Sequence, residues 1–206
     1  MAGYPVITGE SPGGLAFNDS PANYGYAGNS THPAPPPGTI WIDQDNANLI
    51  GSGDRTFRFV QLAADSISPN VGDILVGKDQ FNTIATANIT SGYIYLATGA
   101  NTTRQRNGII GVVQSPTLVP GQPGALTPGN FGWLQISGLH PGVNSGSNTI
   151  GGGDTVVLST TNQQGTGVTA GTASTFLPVG TAWGNSTANT PSTTGNSTPT
   201  RLYIPE

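Results

Sequence analysis

Two histidines and ten acidic residues are this chain's supply of bases, proton donors and hard metal ligands, so any chemistry starts from where they stand. His32 lies in Ser30-Thr31-His32-Pro33-Ala34, inside a Pro-rich stretch, and His140 lies in Gly138-Leu139-His140-Pro141-Gly142, a turn just after a strand. A loop histidine beside proline more commonly hydrogen-bonds within its turn than works as a general base. Gly142-Val143-Asn144-Ser145-Gly146 places its serine one position too late for a G-x-S-x-G nucleophile elbow. A Ser-His-Asp set is defined in space, and nothing in the sequence points to one. Asp43, Asp45 and Asp54 have the outline of an EF-hand loop but fail it, because Ala47 and Asn48 occupy its fifth and sixth positions. A looser calcium site using Asp43, Asp45 and carbonyls stays open beside the plainer reading of a polar turn. Acids such as Asp73 and Asp154 read as turn residues rather than as a glycosidase pair. The sequence assigns no catalytic residue, no cofactor and no metal.

Composition narrows the classes. Charged residues are only 8% of the 206, against roughly 25% in an ordinary soluble domain. The six Lys and Arg are Arg55, Arg58, Lys78, Arg104, Arg106 and Arg201, too scattered for the basic face that nucleic acid requires. No apolar run reaches the ~18–20 residues of a membrane span, and MAGYPVITGESPGG has neither the basic nor the apolar region of a secretory signal. With no cysteine there is no disulfide scaffold and no thiolate zinc site, which fits folding in a reducing cytoplasm. The length suffices to bury roughly 70% of the extended-chain surface. So little charge then implies a surface covered by Ser, Thr, Asn and Gln, by other subunits, or by both.

The elements available to position anything are short strands. Residues 1–38 read as an extended N-terminal arm, because Pro5, Pro12, Pro21, Pro33 and Pro35-Pro36-Pro37 forbid helix. That arm carries Tyr4, Val6, Ile7, Leu15, Phe17, Tyr24 and Tyr26, more large apolar side chains than a solvated linker uses. Tyr4, Val6, Ile7, Phe17, Tyr24 and Tyr26 are therefore the candidate contacts with another subunit, anchoring the arm along a surface of its own or a neighbour's. A mobile tail is the alternative. Residues 39–184 read as the β core, with strand candidates at 39–42, 55–62, 73–76, 92–96, 109–114, 132–137 and 155–159. Residues 185–206 read as a polar loop and C-terminal tail, apolar again at Leu202-Tyr203-Ile204, which is the last strand candidate. No window keeps helical apolar spacing free of Gly and Pro, so the fold class is all-β, a compact β-barrel or β-sandwich core. Val71-Gly72-Asp73-Ile74-Leu75-Val76 with Ile110-Gly111-Val112-Val113 parallels Gly152-Gly153-Asp154-Thr155-Val156-Val157 with Val179-Gly180-Thr181-Ala182. That parallel reads equally as an internal duplication or as small-barrel grammar repeated by chance.

The order of segments 71–76, 108–114 (Gly-Ile-Ile-Gly-Val-Val-Gln), 132–138 (Gly-Trp-Leu-Gln-Ile-Ser-Gly), 153–159 and 179–184 resembles tailed-bacteriophage capsid decoration, or cement, proteins. The resemblance covers about Pro69 to Gly184. It implies a small β-barrel or β-tulip core, no catalytic residues, a homotrimer at local threefold positions on the capsid exterior, and the major capsid protein as partner. The arm and the segment 39–62 are extra to the minimal barrel. An uncharged surface suits a clamp that must avoid long-range attraction before assembly.

These readings make the chain a virion structural protein, with no nucleic acid or membrane partner. Second comes a phage fibre or receptor-binding adhesin using Trp41, Trp133 and Trp183 to hold sugars, although Trp133 in its Gly-flanked strand reads as core. A tail or collar subunit is third, and an enzyme last.

Overall fold

The computed structural model of the chain describes residues 6–8, 38–43, 55–77, 96–99, 108–113, 126–161, 163–169, 171–172, 174, 178–188 and 195–204. The described residues form strands, turns and connections, with no helix among them. The first strands are β1 (Val6–Thr8), β2 (Ile40–Asp43), β3 (Arg55–Leu62), β4 (Ile74–Gly77), β5 (Leu96–Thr98) and β6 (Ile109–Val113). The chain continues through β7 (Phe131–Gly146), β8 (Thr155–Leu158), β9 (Gly165–Val168), β10 (Pro178–Ala182), β11 (Thr187–Ala188) and β12 (Asn196–Tyr203). The all-β class expected from Gly, Pro and Asn punctuation is the observed one. A single twelve-stranded sheet runs β1-β2-β3-β5-β4-β6-β7-β12-β10-β8-β9, with β11 on β12. It is mostly antiparallel; β1–β2 and β3–β5 are parallel. β3 also pairs β7, so the pairings β3-β5-β4-β6-β7 return on themselves, but the sheet as a whole does not close, its end strands β1 and β9 not pairing with each other.

The turn that opens β4 recurs before β8. Gly72 and Gly153 both take left-handed φ, +94° and +90°, which an L side chain rarely adopts. The aspartate that follows each accepts a hydrogen bond from the backbone N–H three residues back, Asn70 to Asp73 at 2.7 Å and Gly151 to Asp154 at 2.8 Å. Each aspartate carbonyl then accepts from the end of the partner strand, Val113 at 2.9 Å and Ala182 at 2.8 Å. The ladders agree residue for residue. Ile74, Leu75 and Val76 face Val112, Gly111 and Ile109, while Thr155, Val156 and Val157 face Thr181, Gly180 and Pro178. Both ladders slip by one residue at the same step.

The flanking strands extend the match. Val76 meets Thr98 of β5, and Val157 meets Thr166 of β9. Val112 meets Gln135 of β7, and Thr181 meets Arg201 of β12. Phe57 of β3 lies across from Gln135, as Leu139 in the second half of β7 lies across from Arg201. The chain therefore holds two tandem copies of a five-strand unit. The first is β3, β4, β5, β6 and the first half of β7; the second is the rest of β7 with β8, β9, β10 and β12. Duplication, one of the two readings left open by the sequence, is what the registers support.

The core follows this division. Val60, Leu62, Leu75, Ile110, Val113 and Leu134 pack together with Leu126 inside the first unit. A larger cluster joins Ile74, Val76, Val112 and Ile136 of the first unit to Val143, Val156, Leu158, Val179 and Leu202 of the second. Trp41, Phe57, Phe59, Phe131 and Trp133 form a third, aromatic cluster on the other face of β2, β3 and β7. Trp41 stacks on Phe57 at 4.9 Å and meets Trp133 edge-on at 5.9 Å.

Two expectations need correction at the level of elements. The stretch from 185 contributes β11 and β12, and β12 is an interior strand between β7 and β10, not a tail. Its strand begins at Asn196, six residues before the expected Leu202, because Ser197, Thr198 and Thr200 are buried and a polar composition conceals a core strand. Strand β7 also runs on to Gly146, through the segment read as a turn around His140 and Pro141. Proline cannot donate to a ladder, and the register with β12 slips at this point, where His140 pairs Thr200 and Val143 pairs Thr198.

Candidate functional site

Two groupings of polar and aromatic side chains stand out, one sealed and one open. The sealed one ties the Gly72-Asp73 turn to β7. Asp73 is buried, and its carboxylate accepts from the Asn70 N–H and from Asn144 Nδ2 at 2.6 Å. Asn144 Oδ1 in turn accepts from the Gly146 N–H at 2.9 Å, which fixes the orientation of the amide. Gly72 is required here for space as well as for φ, since a Cβ would stand 2.2 Å from the Gly142 carbonyl. Burial pushes the Asp73 carboxyl up from 3.8 to about 6, against the opposing pull of the two hydrogen bonds.

His140 is fully buried beside this turn. The Gly142 N–H donates to Nδ1 at 3.1 Å, so Nδ1 is the acceptor nitrogen and Nε2 carries the proton. Nε2–H donates to the Val113 carbonyl at 3.2 Å, an oxygen that also accepts from the Gly72 N–H. Burial, with the nearby Arg55 charge adding to it, holds the imidazole down at about 4, and the bond to Val113 only partly offsets this. A neutral imidazole spent on two backbone partners, out of contact with solvent, locks a bulge in β7. It is not placed to take a proton from a substrate. Arg55 is itself buried, its guanidinium 5.4 Å from the centre of the Phe57 ring.

The open grouping lies on the outer face of β10 and β12. Trp183 is 66% exposed and Tyr203 49%. Arg201, also exposed, stands between them and places its guanidinium 6.0 Å from the Trp183 ring centre. The Tyr203 hydroxyl donates to Thr181 Oγ1. Alternation along β12 explains the pattern: Thr200 and Leu202 point into the core, so Arg201 and Tyr203 point out.

The sequence-derived contact residues are only partly within view. Val6 and Ile7 lie on β1, which pairs in parallel with β2 through Val6–Ile40 and Ile7–Trp41, so this part of the arm lies along the chain's own sheet. Tyr4, Phe17, Tyr24 and Tyr26 lie outside the described residues, as do His32, Asp45 and Asp54. Asp43 ends β2 opposite Arg55. Among the described residues no three His, Cys, Asp or Glu cluster as a metal would need, and no helix is long and apolar enough to cross a membrane. Of the three tryptophans read as sugar platforms, Trp41 and Trp133 are buried in the aromatic cluster, and Trp183 alone is open. Sequence reasoning passed over Arg201 and Tyr203 because the strand candidate there, Leu202-Tyr203-Ile204, was too short to show which side chains face outward. Compared with protein-family models, curated proteins and solved structures, the chain matches none.

Proposed function

We propose that the chain is a virion structural protein, a capsid decoration protein that binds the outside of a tailed-phage head and tightens contacts between capsomers. One observation carries the reading. The five segments that resemble decoration proteins fall, in order, on the β4 turn and strand, β6, β7, the β8 turn and strand, and β10. They are thus the paired core strands of the two repeated units rather than scattered Gly-rich loops. The β1–β2 pairing adds support, because an arm that can lie along a sheet of its own chain has the chemistry to lie along a neighbour's. In this proposal the partners are the major capsid protein and further copies of the chain, as a homotrimer on the capsid exterior. The work is done by buried area and not by catalysis.

The test is re-addition. Heads stripped of the protein are mixed with purified chain and pelleted. Saturable co-sedimentation that raises the temperature at which heads rupture is expected, and heads that neither retain the chain nor gain stability would overturn the reading. A second reading, a receptor-binding adhesin, is favoured by one observation, the openness of Trp183.

A further inference from the structure

The geometry points to a binding strip for an acidic oligosaccharide on the outer face of β10 and β12, formed by Trp183, Arg201 and Tyr203. The ladder sets the spacing. The Trp183 N–H donates to the Pro199 carbonyl at 2.7 Å, so Trp183 lies across from Pro199. Tyr203 is four residues further along β12, which roots the two aromatic side chains ~13 Å apart at ~3.3 Å per residue. Arg201 sits midway, opposite Thr181. Its guanidinium is at the outer limit of a cation–π contact, so most of the indole face stays open. Among the described residues Arg201 makes no ion pair and no side-chain hydrogen bond. The bond from Tyr203 to Thr181 ties the phenol ring across the sheet and pre-organises it.

The chemistry selects the ligand. Aromatic faces receive the C–H faces of pyranose rings, and an unpaired guanidinium presents a planar fork to a carboxylate. The row also carries hydroxyls, Thr181 beside Tyr203 and Ser137 paired with it. A protein partner would favour a continuous apolar patch at the interface centre. Here the aromatics are held apart by a cation and hydroxyls, a separation that suits a short run of sugar rings with an acidic ring between two stacked ones.

The duplication supplies an independent observation. In the first unit Gln135 occupies the place of Arg201 and is fully buried, and the neighbouring outer face is covered by Trp41 on Phe57. The first unit seals this face with its own chain. The second leaves it open and furnishes it with two aromatics and a cation. The inference does not rest on the capsid reading.

The test titrates the full chain with trigalacturonate and with its fully methyl-esterified form, by calorimetry and by tryptophan fluorescence. Trp183 is the exposed reporter. Saturable binding of the free acid is expected, weakened at least tenfold in Arg201→Gln and by high salt, with the ester binding weakly and equally to both proteins. Trp183→Ala should abolish binding of either sugar while circular dichroism stays unchanged. No saturable binding of trigalacturonate to the wild-type chain, or equal binding by Arg201→Gln, would overturn the proposal. So would a Trp183→Ala chain that loses retention on phage heads while the wild type binds no uronate, since the strip would then serve a protein partner.

Discussion

Asp73→Asn tests whether a buried carboxylate is held in the Gly72 turn. Asp73 is raised from 3.8 to about 6. A raised acid contributes stability that is present below pH 3.8 and lost as the pH rises through 6. At 1.36 kcal/mol per pH unit that amounts to about 3 kcal/mol. His140 runs the other way, lowered from 6.5 to about 4. Its contribution, also about 3 kcal/mol, is present above pH 6.5 and lost as the pH falls through 4. The two windows overlap, so their opposite slopes nearly cancel in the wild type. Asparagine cannot ionise, and it must turn its amide N–H toward one of two donors, the Asn70 N–H or Asn144 Nδ2. That mismatch costs about 1–3 kcal/mol at every pH. Relative to wild type, Asp73→Asn should therefore gain about 3 kcal/mol between pH 4 and pH 7, moving from less stable to equal or better. Urea unfolding of both proteins at half-unit pH steps measures this directly, because groups common to both drop out of the difference. A difference that stays flat across the range would refute the claim that Asp73 is desolvated.

Other substitutions probe packing and the arm. Trp133→Ala should cost about 3–5 kcal/mol in chemical denaturation, as loss of a buried aromatic does. Trp133→Phe should cost clearly less, because among the described residues the indole Nε1 has no hydrogen-bond partner to lose; equal losses would contradict the core placement. Gly180→Ala would put a Cβ 2.1 Å from the Arg201 carbonyl, and Gly111→Ala would put one 2.6 Å from Leu134 Cβ. Both should lower the melting temperature, by about 1–3 kcal/mol of stability, and Gly180→Ala more because backbone cannot step aside. Removing residues 1–37, which spares the Gly38 N–H bond to the Phe59 carbonyl, should leave a folded β sheet by circular dichroism but weaken retention on heads. Unchanged retention would remove the arm from the clamp.

What could be read from the sequence was whatever periodicity two writes plainly. Strand β3 announced itself because Phe57 and Phe59 alternate with Thr56, Arg58 and Gln61, β4 and β8 because apolar runs follow Gly-Asp turns, and β6 as the apolar run Ile109-Ile110-Gly111-Val112-Val113. The duplicated unit was visible through its two Gly-Asp turns, the apolar strands after them and the glycines of the closing strands, Gly72 and Gly153 being needed for φ and Gly111 and Gly180 for space. Elsewhere the copies have diverged, with Arg201 where the other has Gln135, so composition alone could not separate descent from coincidence. The first part of β12, from Asn196 to Arg201, was hidden because hydroxyl side chains fill its inward positions, and a run of Ser, Thr and Asn looks the same in a loop. Thr200 Oγ1, for example, is buried and donates to the Thr198 carbonyl at 2.9 Å. Asp73 was read only as a turn residue because nothing local says that Asn144, 71 residues away, closes over it. The open strip was half legible, through Trp183, but its cation and second ring depended on knowing that residue 201 points outward.

The central claim is tested most directly by counting. The proposal places the chain in tailed-phage particles, whose proteins can be quantified by mass spectrometry against isotope-labelled peptides. A decoration protein should appear in a fixed, near-stoichiometric ratio to the major capsid protein. A chain present in only a handful of copies per particle, or absent from virions, would contradict the account.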